Sequence, residues 1–260
     1  PNMGVFEDFG FDTKKDGFLD KMAARWPSEV GIPYHAQMRW EMTKQEKRLD
    51  LIQASGGFGL TLAIESSIPE IRRHVLARPM SDDLIVEGMR SVVGRGMKIR
   101  TEQITGLPYG GTPSPTPINL DADLHLLEHN VRLKASTNGP TMAWASTLAP
   151  YIGTKLATYC RDYGHYYFEP GEQSNDVPDT FFQRSVLRFP KEWVGPTLKQ
   201  EKNNPSIWLD SEELELYRDR NAELRRKFNF FAALPDGHLL AARYLKSDKP
   251  FSYDRLGQES

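Results

Sequence analysis

Short apolar runs alternate with longer amphipathic stretches along about the first 165 residues. Gly4–Glu7, Tyr34–Met38, Gly59–Ile64, Lys98–Thr105 and Thr141–Leu148 read as strands. Each is followed by a segment with helical spacing. Asp16–Arg25 carries Phe18, Leu19 and Met22 on one face, and Thr43–Ser55 carries Leu49, Leu51 and Ile52. Thr43, three residues before Glu46, predicts a capping box. Ser81 ahead of Asp82 and Asp83 predicts the start of a further helix, and Gly96 its end.

Successive strands start about 25 to 45 residues apart, one βα unit each. Five units suit an open doubly wound sheet or most of a barrel. No Gly-rich dinucleotide loop or P-loop follows any strand. Polar residues instead gather at the strand ends: Glu7 and Asp8, Gln37 and Arg39, Glu65 with Ser66 and Ser67, and Gln103. In a barrel that rim carries the chemistry, so the expected fold is α/β and barrel-like over residues 1–164. After Gly164 the character changes. Residues 165–210 mix aromatics and prolines with little periodicity, Glu212–Phe231 is a helix, and Lys246–Ser260 reads as frayed or loop-like. Residues 165–260 are therefore expected to form a mainly helical and irregular extension.

Charge and cysteine content narrow the function. A formal charge of −2 argues against a general nucleic-acid or membrane-surface binder. No apolar run approaches the roughly 20 residues of a spanning helix, and no signal peptide is visible, so a cytoplasmic setting is expected. Cys160 is the single cysteine. It can form no internal disulfide, and one thiol cannot ligate a cubane cluster, which takes about three or four; it reads as a small core residue. His125 and His129 bracket Glu128 without the metalloprotease pattern and read as helix surface or edge, so no metal site is expected. Pro1 is followed almost at once by the apolar Met3-Gly4-Val5-Phe6, which suggests a chain cut from something longer, with Met3 as a true start the alternative.

The segment Leu62-Ala63-Ile64-Glu65-Ser66, with the following Arg72-Arg73-His74-Val75-Leu76-Ala77-Arg78, resembles a Gly-Ile-Glu-Ser strand end and an Arg-x-x-Val-Leu-x-Arg helix. Both occur in radical S-adenosylmethionine (SAM) enzymes, most closely in the subclass with an N-terminal cobalamin-binding domain. Ala63 stands where that family has glycine. Four further segments match in the same order: Gly4–Phe11, Ile32–Arg39, Gly96–Pro108, and Ala149–Leu156 with Ile152 in place of proline.

The resemblance implies a partial TIM-type (β/α)6 radical SAM barrel, strands two to six, lacking its first βα unit. That absent unit would carry a Cys-x-x-x-Cys-x-x-Cys motif holding a 4Fe–4S cluster. It further implies SAM at the strand ends, radical modification or methyl transfer on an unassigned small-molecule or peptide substrate, cobalamin through a missing N-terminal domain, and that N-terminal part of the same protein as partner. Carried onto this chain, Glu7 and Asp8 would accept the SAM ammonium, and Arg39 or Arg72 would pair its carboxylate. Gln37, Glu65, Ser66 and Gln103 would contact ribose or methionyl groups, and Pro150 and Tyr151 would edge the adenine. Plainer readings stay open. Glu65 could cap a helix or pair with Arg39, Arg72 and Arg78 could lie on a solvated helix face, and Gln103 could satisfy backbone. A cluster-free barrel that binds or scaffolds, and an unrelated TIM-barrel lyase, are the alternatives.

Overall fold

The alternating pattern builds four parallel strands in the computed structural model, which describes residues 17–108, 120–166, 184–191 and 197–246. In chain order the main elements are α1 (Phe18–Glu29), β1 (Tyr34–Met38), α2 (Glu46–Ala54), β2 (Gly57–Glu65), α3 (Asp82–Gly94), β3 (Lys98–Thr105), α4 (Leu120–Thr137), β4 (Met142–Thr147), α5 (Lys155–Asp162), α6 (Leu198–Glu201), α7 (Ser211–Ala233) and α8 (Gly237–Lys246). A single π turn, Ile71–Val75, lies between β2 and α3. The strand expected at Gly4–Glu7 falls outside the described residues, as does the tail beyond Lys246.

The sheet runs β1-β2-β3-β4 with no reversal of order. A doubly wound sheet reverses at its switch point and carries helices on both faces. Without a reversal, right-handed crossovers fall on one side. Burial agrees. Met38, Leu62, Thr101 and Ala143 form one row across the four strands, and all are buried. In the next row Ala63 and Glu102 are half-buried and Trp144 is exposed. Among the described residues, helices thus cover one face and leave the other open, the arrangement of a barrel wall.

The covered face is the core. Leu60, Leu62 and Ile99 pack with Leu19 of α1, Ile52 of α2, Ile85 of α3, Leu127 of α4, and Leu224, Phe228 and Phe231 of α7. α7, from the segment read as an extension, therefore packs directly on the sheet. Its Asn229 accepts the outward N–H of Ala143 at 2.9 Å, which satisfies one free donor on the edge strand β4. A second cluster joins Ile71, Val75, Leu148, Leu187, Phe189, Tyr217 and the buried Cys160. No helix among the described residues is long and apolar enough to cross a membrane.

Two caps differ in outcome. Ser81 accepts from Leu84 N at 3.2 Å and starts α3 as expected. The box at Thr43 does not form. Trp40 is fully buried, donates its indole N–H to Ala63 O at 2.9 Å, and anchors a 3-10 turn over Trp40–Lys44. Thr43 then lies inside that turn, its hydroxyl donating to Trp40 O at 2.6 Å, and α2 begins only at Glu46.

Candidate functional site

Parallel strands bring their C-terminal ends to one rim, and a cleft of about 640 Å³ opens there on the uncovered face. β1 contributes Gln37 and leads into Arg39, β2 contributes Ala63 and Glu65, and β3 contributes Glu102. Trp144 and Ser146 come from β4, and Ala77 and Arg78 from the segment after the π turn.

The backbone is strained at this rim. Ser66 N bonds Ile64 O at 2.8 Å, closing a γ-turn in which Glu65 holds φ +64°. The β2–β3 register shifts between Ala63 and Glu65, so β2 kinks as it leaves the sheet. Ala77 holds φ +53°. Such conformations cost on the order of 1 kcal/mol or more for residues other than glycine. Two of the three among the described residues line this cleft.

Opposite charges meet inside it. Glu65 pairs with Arg78. Burial raises the Glu65 carboxyl above its usual range, Arg78 opposes that shift, and nearby Glu102 adds to it. Glu102 accepts from Gln37 at 3.2 Å and from Arg100 at 2.7 Å, and the Arg100 guanidinium lies 5.0 Å from the Trp144 ring. Arg39 is exposed at the rim, and its side chain has no ion pair or hydrogen bond among the described residues.

Gln37, Arg39 and Glu65 thus share one cleft. Four of the other expected contacts lie elsewhere. Arg72 is fully buried. It donates to Met80 O at 3.1 Å, Ser66 O at 2.8 Å and Asp82 Oδ1 at 2.5 Å, so its fork ties the π turn to the start of α3 and does not face the cleft. Ser66 Oγ accepts from Ile68 N at 3.2 Å and opens the same turn. Gln103 borders the cleft, but its amide is spent on the helix side, donating to Trp144 O at 2.8 Å and accepting from Asn130 at 3.3 Å. Pro150 is buried, and Tyr151 lines an adjoining groove of about 490 Å³ that shares Ile104, Trp144 and Ser146 with the cleft. Glu7 and Asp8 lie outside the described residues.

Arg78, Glu102 and Trp144 were not among the expected site residues. Strand parity was the available signal for the last two: Glu102 alternates with the core-facing Thr101 and Gln103, and Trp144 pairs with it across the ladder. Of the histidines, His125 is exposed and meets Ser67 Oγ at 2.9 Å. His129 is half-buried, at the edge of its helix, with a buried Nε2 that has no partner among the described residues, and burial lowers its pKa. No group of three or more metal-ligating side chains occurs among the described residues.

No family profile matches the chain, and no curated protein matches it. Among solved structures it is similar to coproporphyrinogen III oxidase (HemN) from Escherichia coli, a radical SAM enzyme. The identity is 14% over 65% of this chain and 31% of that one, with a TM-score of 0.39. It is also similar to the radical SAM methyltransferase TsrM from Kitasatospora setae, solved with cobalamin and a 4Fe–4S cluster bound. That match has 14% identity over 75% and 35% of the two chains and a TM-score of 0.43. A third is the cobalamin-dependent SAM radical enzyme OxsB, at 12% identity over 92% and 38%, TM-score 0.44. The chain spans 31% to 38% of the length of these three proteins. All three are radical SAM enzymes, the family whose motifs the sequence resembles.

Proposed function

We propose that this chain is the SAM-holding part of a radical SAM-type enzyme. The observation that carries the reading is the pairing of opposite charges at the strand ends. The methionyl end of SAM bears an ammonium and a carboxylate. Glu65 and Glu102 offer acceptors for the first, and Arg39 and Arg78 offer guanidinium forks for the second. In this reading Arg78 takes the place considered for Arg72. Gln37 orients Glu102, and the kink at Glu65 aims its carboxylate into the cleft. Bound there, SAM would supply a sulfonium whose S–C bonds are the reactive ones.

The cluster fares differently. Cys160 is the one cysteine of the sequence, it is buried in an apolar cluster, and burial pushes its thiol up to about 12. It offers no thiolate, so this chain's residues do not fit a 4Fe–4S cluster.

Calorimetric titration of the chain with SAM tests this reading. Replacing Arg78 or Arg39 by Gln should weaken binding about 10- to 150-fold, the worth of one charge-assisted contact. No SAM binding by the folded chain, or unchanged affinity in both variants, removes the assignment. Anaerobic reconstitution of the isolated chain, followed by iron and sulfide analysis, should find no stoichiometric cluster. A cluster found there would overturn the statement that these residues do not fit one.

A further inference from the structure

The groove beside the cleft differs from it in chemistry. It lies past the edge of β4, between that strand, the residues leading into α5, and α7. Ile104, Leu148 and Leu156 give it apolar walls, and Trp144 and Tyr151 are 50% and 44% exposed beside it. Among the described residues that line it, the cation is Arg225 of α7.

Arg225 is unlike the other arginines whose Nε is buried without a partner. Arg48, Arg100, Arg184 and Arg218 each hold another hydrogen bond through a terminal nitrogen. The Arg225 side chain has no hydrogen bond or ion pair among the described residues. A half-buried guanidinium without an anion is costly, and its neighbour Arg226 adds repulsion. The strand edge supplies further donors. Leu148 N bonds inward to Thr105 O, whereas Ala143 N bonds outward to Asn229. Alternation therefore turns the N–H groups of Ala145 and Thr147 outward along the groove wall. The Thr147 hydroxyl is also buried there without a partner among the described residues.

We infer that this groove binds a small molecule with an apolar, aromatic-sized body and a carboxylate that pairs with Arg225. Pockets of this volume, mostly apolar with a few placed polar groups, are the usual form of small-molecule sites. Trp144 walls both spaces, so a ligand in the groove lies beside whatever occupies the cleft. That this ligand is the substrate rests on the function proposed above; that the groove binds it does not.

The test is calorimetric titration of the full chain at pH 7 with 3-phenylpropionate and with its uncharged amide. The acid should bind at least tenfold tighter than the amide. Arg225→Gln should weaken the acid about ten- to hundredfold and leave the amide unchanged, while Arg225→Lys keeps most of the acid's affinity. Equal binding of acid and amide overturns the proposal, as does unchanged acid affinity in an Arg225→Gln protein that melts like the parent. If Arg225→Gln does not fold, the acid-over-amide preference of the unaltered chain and the Arg225→Lys titration decide. SAM titrated on the same samples separates the two readings. Acid binding without SAM binding keeps the groove and overturns its role as substrate site. SAM affinity untouched by Arg225→Gln supports two separate sites.

Discussion

Arg72 and Arg78 are six residues apart and do opposite work. Arg72 is fully buried and gives hydrogen bonds to two backbone carbonyls, those of Ser66 and Met80. Losing the donor to a buried carbonyl costs about 1–3 kcal/mol, so Arg72→Met should destabilise the chain by about 2–4 kcal/mol in urea unfolding. Asp82, the ion-pair partner, is half exposed, and Asp82→Asn should cost less than about 1 kcal/mol. Equal losses would mean the ion pair, not the carbonyls, sets the role of Arg72. Helical spacing alone does not separate the two arginines. The π turn adds a residue, and Ala77 then swings the chain out at positive φ, so Arg78 leaves the helical register and reaches Glu65. The same limit applies to Gln103, which the strand pattern offered to the rim. A bulge opposite it and a buried amide-bonding partner, Asn130, are long-range features that no local pattern carries. Gln37, Arg39 and Glu65 were legible because a strand end fixes them by position alone.

At the scale of elements, β1 and β3 begin and end at the residues expected from alternation, and β2 starts two residues earlier at Gly57. Period-2 burial is local and survives folding. Caps are less legible, because a tertiary anchor such as Trp40 can move a helix start by several residues. The capping box that does form joins Asp210 with Glu213 and starts α7 at Ser211, one residue ahead of the helix expected from Glu212. Packing between elements lies further still from the sequence, and Gly88 shows the consequence. It sits where α3 meets the Trp40–Lys44 turn, and an added Cβ would collide with the Thr43 hydroxyl and come within 3.0 Å of the Trp40 ring. Alanine gains about 1 kcal/mol of helix propensity over glycine, but overpacking a buried contact costs about 1–3 kcal/mol. Both neighbours are buried and held by hydrogen bonds, so they yield little. Gly88→Ala should therefore lower stability by about 1–2 kcal/mol. Gly94, near the end of the same helix, has nothing within 4 Å of its added Cβ, and Gly94→Ala should raise stability by about 0.5 kcal/mol. Denaturant midpoints of the two variants check both signs, and a stabilised Gly88→Ala would show that the contact yields.

The molecule as a whole couples its sheet to α7 through a buried acid, and holds a buried base farther along the chain. Asp123 of α4 accepts the N–H of Gly106 at 3.1 Å and meets Asn221 of α7 at 2.5 Å, and burial raises its carboxyl from 3.8 to about 7. His165 lies among Tyr159, Phe189 and Trp208, with Nδ1 3.1 Å from Arg188 O, and burial lowers it from 6.5 to about 4. Their linkages have opposite signs. Between pH 4 and 7 the folded chain keeps a proton on Asp123 that the unfolded chain has released, so this group's contribution is lost as pH rises. Between pH 6.5 and 4 the unfolded chain protonates His165 while the folded chain does not, so that contribution is lost as pH falls. Each proton is worth a slope of up to about 1.4 kcal/mol per pH unit, and across pH 4 to 6.5 the two oppose. Glu65 is raised and adds to the slope from Asp123, whereas His35 and His129 are lowered and add to that from His165. The parent chain should therefore change stability little across this window, and single substitutions should uncover each slope. Asp123→Asn should become less stable relative to the parent as pH falls from 6.5 to 4. His165→Asn should become less stable relative to the parent as pH rises over the same range. Urea unfolding at half-unit steps of pH reads both differences, and variant curves that run parallel to the parent would show that neither group titrates out of step with the unfolded chain.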